Sequence, residues 1–300
     1  MTIAILGCGF TGKAIGRRLS DAGHQVFGTT RSAEKFDQLT ACGVQPIAFD
    51  GQSMQDDLLA ALGEVTHLIV SIAPPREESD GPGPVDPTLA AMAALGEQAL
   101  KASMPNLQWV CYLSTVGVYG NHDGRWIDEN AAPAPSSARS RQRVRAEEEW
   151  AAATAEAGLP LAIMRLSGIY GPGRNGLRSA HEGRSRRLVK KDQVFNRIHV
   201  EDIATAVHLA MTANVGGTFN ITDDEPAPPQ DVVSFAHHLL GTPPPPEMDF
   251  ETADLSPMAR SFYGENKRVS NARSKQVLGM RYDWPNYKAS LQRMFDEGNW

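Results

Sequence analysis

The chain has 300 residues, which is enough for one large α/β domain or for a domain with a smaller lobe, and either can bury a substantial core. Its formal net charge of -6 argues against a nucleic-acid-binding protein, because phosphate contact needs a positive face, and favours a small molecule as partner. The three cysteines have no C-x-x-C spacing, which argues against a disulfide framework and a cysteine-based metal site. No apolar run approaches the roughly 18 residues of a membrane span, so we expect a reduced, cytoplasmic protein that is not bound to membranes.

The first predicted elements are a strand over residues 2–6, a glycine-rich turn and a helix over residues 10–21. Strand, glycine turn and helix in this order are typical of a dinucleotide-binding site. The first glycine allows the tight turn, the second lets the backbone approach a pyrophosphate, and the third lets helix and strand pack closely. The helix N-terminus offers free N–H groups and a positive dipole end to the phosphates. The residues predicted to hold the pyrophosphate are Gly7, Gly9, Phe10, Thr11 and Gly12.

The end of the second predicted strand, residues 25–29, indicates which coenzyme is preferred. An acidic residue there would bind a ribose 2′-hydroxyl, but the chain has Thr30, Arg31 and Ser32, and an arginine suits a 2′-phosphate. This favours NADP, with NAD possible, unless Arg31 is an ordinary solvent-facing loop residue. Asp50 follows the third strand and is predicted to border the adenine side or to cap a helix. The other predicted coenzyme contacts each follow a strand: Gly51, Ala73, Ser114 and Ser167.

Strands and helices alternate along the rest of the chain. The patterns predict further strands over 44–49, 65–72, 107–113, 161–166, 198–200 and 217–221. They predict further helices over 33–41, 54–62, 88–103, 136–157, 203–212, 229–240, 270–278 and 287–295, with Asp202 capping the helix that starts at 203. Residues 76–87, rich in proline, glycine and acidic residues, are predicted to form a mobile loop. The alternation indicates a doubly wound parallel sheet, with residues 1–170 as coenzyme domain, 196–222 returning to it, and 171–300 as a smaller lobe.

Two charged stretches admit two interpretations each. Arg139 and Arg143 share one face of the helix predicted over 136–157, and three glutamates follow. The two arginines are either site residues or part of a solvated, salt-bridged helix. Residues 165–197 contain nine lysines and arginines against Glu182 and Asp192, a local net charge of +7. They form either an anion site or an exposed segment with solvated charges.

Five motifs in order resemble the extended short-chain dehydrogenase/reductases, the NAD(P)-dependent epimerase/dehydratase family. They are the glycine turn, Ser114-Thr115 with Val118-Tyr119-Gly120, and the segments 165–173, 198–202 and 267–271. The resemblance implies a Rossmann-type coenzyme domain, a small C-terminal substrate lobe, a nicotinamide coenzyme across the sheet end and a small-molecule substrate. It is compatible with a homodimer.

The resemblance also shows where the chain departs from the family, whose members move protons with a Ser or Thr, a Tyr and a Lys. Thr115 matches the Ser/Thr position, but counting back from Glu147 puts Arg143 at the Lys position and Arg139 at the Tyr position. Arginine stays protonated and cannot act as acid or base, although it can stabilise an oxyanion. Gly168 replaces the Asn usual in nucleotide-sugar enzymes. These departures resemble the atypical YeeZ-like subgroup.

Two functions follow as hypotheses. The first is an NAD(P)-dependent oxidoreductase or epimerase-like enzyme on a small carbonyl or hydroxyl substrate, with Thr115, Arg139 and Arg143 as its site residues. The alternative is a catalytically inactive NADP-binding sensor or regulatory protein. Tyr119 and His199 are candidate proton donors that are better explained as structural residues, and Cys8 is predicted to pack beneath the coenzyme rather than to react.

Overall fold

The computed structural model describes residues 1–75, 83–96 and 99–300. Its strands are β1 (Thr2–Leu6), β2 (Gln25–Thr30), β3 (Gln45–Ala48), β4 (His67–Val70), β5 (Trp109–Thr115), β6 (Trp126–Ile127), β7 (Leu161–Leu166), β8 (Gly168–Tyr170), β9 (Arg187–Val189), β10 (Arg197–His199), β11 (Gly217–Ile221), β12 (Glu247–Asp249) and β13 (Arg268–Val269). Its α-helices are α1 (Phe10–Asp21), α2 (Phe36–Thr40), α3 (Asp56–Gly63), α4 (Pro87–Ala93), α5 (Ala99–Ser103), α6 (Ala138–Glu156), α7 (Gly176–His181), α8 (Val200–Thr212), α9 (Pro229–Leu239), α10 (Pro257–Phe262), α11 (Ala272–Leu278) and α12 (Tyr287–Asp296). Short 3-10 helices cover Ala33–Lys35 and Val116–Tyr119.

The central element is a parallel sheet with the strand order β11-β7-β5-β4-β1-β2-β3, seven strands within the described residues. Every pair of neighbours runs parallel, which confirms the predicted doubly wound α/β class. The chain winds outward in both directions from β1 and β4. In such sheets ligands bind in the crevice at the carboxyl ends of the strands, where the winding reverses.

Alternate residues of each strand pack against different helix layers. Ile3 and Ile5 of β1 belong to the core beneath α1 and α8, whereas Ala4 and Leu6 belong to the core beneath α3, α4, α5 and α6. Both faces of a strand are apolar because helices cover the sheet on both sides. The two helix layers thereby fix β1 and the glycine turn that follows its carboxyl end.

The smaller lobe is built from short strand pairs and helices. Strands β8 and β10 pair, as do β9 and β12, and β13 pairs with β6. A separate core joins α7, α9 and α12 through Leu177, Ala236 and Leu291. After β10 the chain returns to the central sheet through α8 and β11, and β11 pairs with β7 along its whole length.

The differences from the sequence prediction include one divided helix and two residues that do not cap helices as predicted. The helix predicted over 88–103 is divided into α4 and α5, because Gly96 has a φ of 116°, which no helix accommodates. Asp202 is not an N-cap: His199 caps α8, and the Asp202 carboxylate instead accepts the backbone N–H groups of Asp283 and Trp284. Asp50 does not cap a helix either, since α3 begins at 56. Residues 76–82 of the loop predicted to be mobile lie outside the described residues.

Among the helices that the structure describes, none combines the length and the apolar character that a membrane crossing requires.

Candidate active site

The glycine turn between β1 and α1 has a different requirement at each of its glycines. Gly7 has a φ of 91°, and a Cβ there would lie 2.8 Å from the Cγ1 of Ile72. A Cβ at Gly12 would lie 3.1 Å from the carbonyl oxygen of Gly7, which reflects close packing of helix on strand. At Gly9 a Cβ would meet nothing within 4 Å, so the backbone faces open space. Gly7 and Gly12 therefore serve the turn and the packing, and the open space at Gly9 fits the predicted approach of a ligand.

Thr29 of β2 fastens this turn to the sheet. Its hydroxyl accepts the N–H of Gly7 at 2.8 Å, and its carbonyl accepts the N–H of Cys8 at 2.7 Å. Sequence reasoning selected the neighbouring Thr30 and missed Thr29, because an inward-facing threonine in a strand gives no signal of its own. Burial, together with the nearby Cys42 thiol, raises the pKa of the buried Cys8 thiol to about 12, so Cys8 packs rather than reacts.

The N-terminus of α1 is open to an anion. Its N-cap is Gly9, and no side chain caps the helix. The first N–H groups of a helix have no partner within it, and they carry the positive end of the helix dipole. Bare backbone at Gly9 next to these uncapped N–H groups fits the pyrophosphate of a dinucleotide.

The residues predicted for the adenosine side lie at the carboxyl end of β2 and after β3. Thr30 ends β2, and Ser32 follows the exposed side chain of Arg31. Among the described residues no carboxylate forms an ion pair with Arg31. The carboxylate of Asp50 accepts the N–H of Gln52 at 2.8 Å within its own loop. Arg31 is thus available to a 2′-phosphate. The contacts predicted for Asp50 and for Gly51 beside it stay predictions.

Thr115 ends β5, at the edge of the sheet that carries the glycine turn. Its Oγ1 accepts the backbone N–H of Gly117 at 3.1 Å, which fixes the side chain. No described residue accepts the Thr115 hydroxyl proton. The hydroxyl is therefore positioned to donate to a ligand oxygen.

The two predicted arginines of α6 have different surroundings. Arg143 is half-buried and donates from Nη1 to the carbonyl oxygen of Leu113 at 2.7 Å and to the Tyr112 hydroxyl at 3.3 Å. Leu113 is two residues before Thr115, so Arg143 lies beneath the end of β5. Arg139 is one turn earlier on the same helix face and is exposed. The structure thus brings Arg143 to the end of β5.

A buried ion pair determines where α6 lies. The guanidinium of Arg165 donates to the Glu147 carboxylate at 2.7 and 3.2 Å, and the two side chains are 8% and 6% exposed. The Ser114 hydroxyl donates to the same carboxylate. Because residues 139, 143 and 147 are spaced by four, this pair sets the position of both arginines on the helix. Sequence reasoning counted Arg165 in the basic segment 165–197, interpreted as an anion site or an exposed stretch, and missed the pair.

Tyr119 and Asn220 extend this buried network. The Arg165 guanidinium lies 4.7 Å from the centroid of the Tyr119 ring, and the Tyr119 hydroxyl donates to Asn220 Oδ1 at 2.8 Å. Burial raises the pKa of Tyr119, and the residue has no exposed surface. Tyr119 is therefore a structural residue in this arrangement, and its hydroxyl group is hydrogen-bonded to an internal acceptor.

His199 is also enclosed. It has no exposed surface, and its ring stacks on Trp284 with 3.7 Å between centroids. Burial, and to a smaller extent the Arg293 guanidinium, lowers the pKa of His199 to about 3, so the ring is neutral at physiological pH. A neutral, enclosed imidazole packs the lobe and does not move a proton at the sheet edge.

The remaining predicted coenzyme contacts are also placed at strand ends. Ala73 follows β4 and is exposed, whereas Ser167 follows β7 and is buried. The Ser167 hydroxyl contacts the Ile221 carbonyl at 3.4 Å, and the Ser114 hydroxyl already donates to Glu147. Both hydroxyl protons are directed at protein acceptors, so contact with a coenzyme stays a prediction for these residues.

The NAD dependent epimerase/dehydratase family matches residues 3–222. The chain belongs to this family. Protein YeeZ of Escherichia coli strain K12 is 27% identical over 293 residues, which cover 94% of this chain and 96% of YeeZ. The structure of a functionally unknown conserved protein from Silicibacter pomeroyi is 42% identical, with a TM-score of 0.85, and covers 100% of this chain and 99% of that chain. UDP-glucuronic acid 4-epimerase from Bacillus cereus, in complex with NAD, is 18% identical with a TM-score of 0.77, covers 99% of this chain and 98% of that chain, and is similar in fold alone.

Membership of the epimerase/dehydratase family confirms the resemblance predicted from the five motifs. The matched residues include the glycine turn and Thr115, and they end just after β11, where the chain leaves the central sheet. The family is NAD-dependent by its description, and the open turn at Gly9 fits such a coenzyme.

Proposed function

We propose that the protein is an NADP-preferring oxidoreductase or epimerase-like enzyme that acts on a small carbonyl or hydroxyl substrate without the tyrosine acid of its family. The observation that carries this proposal is the shared sheet edge. The glycine turn, open at Gly9, and the Thr115 hydroxyl both lie at carboxyl ends of parallel strands. A bound nicotinamide coenzyme supplies hydride transfer.

In this proposal the protein contributes binding and orientation. The backbone at Gly9 and the N-terminus of α1 hold the pyrophosphate, and Arg31 binds the 2′-phosphate. Thr115 donates a hydrogen bond to the substrate oxygen and orients it. Arg143 and Arg139 place positive charge near that oxygen, which stabilises negative charge developing there or an anionic group on the substrate. The proton that accompanies hydride transfer is carried by water or by a residue that is not yet assigned, because arginine does not release one.

Replacing Arg31 by alanine tests the coenzyme preference. An arginine paired with a 2′-phosphate contributes a charge-assisted hydrogen bond, so we expect Arg31→Ala to weaken NADP binding about tenfold. NAD, which lacks the 2′-phosphate, is the matched control ligand and should bind the variant as it binds the wild type. Isothermal titration calorimetry with both coenzymes measures the two affinities. An unchanged NADP-to-NAD ratio would contradict the role of Arg31.

Replacing Thr115 by valine tests the reaction. Valine keeps the shape but loses the hydroxyl, so we expect coenzyme affinity to persist while turnover falls by at least about tenfold. The assay follows coenzyme absorbance over a panel of sugars, keto acids and aldehydes. Thr115→Ser restores the hydroxyl and should restore turnover. Equal turnover by wild type and Thr115→Val would remove Thr115 from the site.

The same assays address the alternative, a catalytically inactive NADP-binding sensor or regulatory protein. The structure contains one feature in its favour: Tyr119, a phenol close in sequence to Thr115, is enclosed and bonded to Asn220. Tight NADPH binding without turnover on any substrate of the panel would identify the protein as a binding protein rather than an enzyme.

A further inference from the structure

A tight turn of the smaller lobe, residues 171–174, packs against the coenzyme turn. Gly171 and Arg174 exchange two backbone hydrogen bonds, at 3.1 and 3.0 Å. Pro172 and Gly173 lie between them, and Gly173 has a φ of 74°, as a type II turn requires. The Asn175 side chain donates to the Gly171 carbonyl at 2.9 Å. The turn is therefore rigid without any ligand.

Contact between the two turns is close because residue 171 has no side chain. A Cβ on Gly171 would lie 2.8 Å from Val200 Cγ1 and 3.4 Å from the Cζ of Phe10. Phe10 is the first residue of α1 and belongs to the glycine turn. The smaller lobe thus contacts Phe10, one of the residues predicted to hold the pyrophosphate.

Arg174 places a positive charge at this contact. Its guanidinium carbon lies 5.7 Å from the centroid of the Phe10 ring, and the side chain is exposed. In the described part of the chain no carboxylate pairs with Arg174, whereas Arg178 and Arg184 of the same segment both pair with Glu182. An unpaired cation thus lies beside the positive end of the α1 dipole, an arrangement that attracts an anion.

We propose that Arg174 is a coenzyme-binding residue supplied by the smaller lobe, whose guanidinium pairs with the pyrophosphate held at the glycine turn. This proposal rests on the proposed function, because it requires a dinucleotide at that turn. The Phe10 ring supports the guanidinium from one side, while the fork of N–H donors suits phosphate oxygens. Of the two interpretations of the basic segment 165–197, an anion site or an exposed segment, this proposal takes the first and assigns the anion contact to Arg174.

The test compares ligands with and without a pyrophosphate. We expect Arg174→Ala to weaken NADP and ADP-ribose binding about tenfold, since one charge-assisted contact is lost, and to leave the binding of 2′-AMP unchanged. Arg174→Lys keeps a charge but not the bidentate geometry, so its loss should be smaller. Arg178→Ala is the control, because Arg178 is an exposed arginine one turn further on. Affinities come from calorimetry, and melting temperatures without ligand verify folding.

The outcomes separate this proposal from the proposed function. If wild type binds NADP and Arg174→Ala binds it equally well, the role of Arg174 is overturned while the coenzyme site stands. If 2′-AMP binding falls as much as NADP binding, Arg174 acts through general charge, and the pyrophosphate contact is overturned. If wild type binds no pyridine dinucleotide at all, the proposed function fails, and this inference fails with it.

Discussion

Replacing Gly9 by alanine is expected to weaken coenzyme binding by about 100-fold or more, roughly 2.7 kcal/mol, without loosening the fold. A Cβ at Gly9 meets no protein atom within 4 Å, and its φ of -81° is outside the left-handed region, so neither a clash nor a positive φ opposes alanine. The added methyl group therefore fills only the space through which a pyrophosphate approaches. Calorimetric titration with NADP and NAD measures the loss, and thermal melting without ligand should match that of the wild type.

Gly7→Ala is the matched control, two residues away in the same turn. Its φ of 91° disfavours alanine, and the Cβ would lie 2.8 Å from Ile72 Cγ1. We expect this variant to lose about 2–5 kcal/mol of unfolding free energy, from backbone strain and overpacking together. Gly7→Ala thus reduces stability, whereas Gly9→Ala reduces binding. A Gly9→Ala protein that binds both coenzymes like the wild type would place the pyrophosphate elsewhere.

Replacing Glu147 by leucine is expected to lower the free energy of unfolding by about 3–5 kcal/mol. The substitution leaves the buried Arg165 guanidinium without a counter-charge, and it removes the acceptor of the Ser114 hydroxyl. An uncompensated buried charge costs far more than the loss of a surface ion pair. Urea-induced unfolding followed by circular dichroism measures the change.

Two further variants separate the buried pair from a general effect on α6. Glu148 is the exposed neighbour of Glu147, and Glu148→Leu should change stability by no more than about 0.5 kcal/mol. Adding Arg165→Met to Glu147→Leu removes both charges, and replacing a buried pair by apolar residues of similar volume restores stability. We expect the double variant to regain at least half of the loss. Equal effects at Glu147 and Glu148 would show that the ion pair does not position the helix.

This ion pair also has a consequence for the site. The pair anchors α6 one turn beyond Arg143, which in turn donates to the end of β5 beside Thr115. Arg143, which the sequence analysis predicts at the family's lysine position, has a half-buried guanidinium that is hydrogen-bonded to the Leu113 carbonyl. In the proposed function, the positive charge of Arg143 is therefore held in place by the protein before any ligand binds, as electrostatic stabilisation requires.

Local information in the sequence was sufficient for the sheet and the coenzyme turn. The bounds of α1 and of β7 agree with the prediction, because apolar periodicity and terminal residues define them over short distances. The roles of Gly7, Gly9 and Gly12 follow equally from a strand followed directly by a helix. The division of α4 from α5 was not predicted, since a single glycine within an alanine-rich helical pattern gives a weak signal.

Only the tertiary structure decided which charges are buried and which are free. Arg165, Arg174 and Arg178 belong to the same basic segment, yet the first is buried against Glu147, the second lies over Phe10 and the third pairs at the surface. Ser114, Arg165 and Asn220 share a face because they lie in register on adjacent strands. Such neighbours are far apart in sequence, and residue type alone does not indicate which partner comes within hydrogen-bonding distance. The sequence therefore determined the fold and the coenzyme turn, whereas the packing of helices and lobe onto that turn decided the electrostatics of the site.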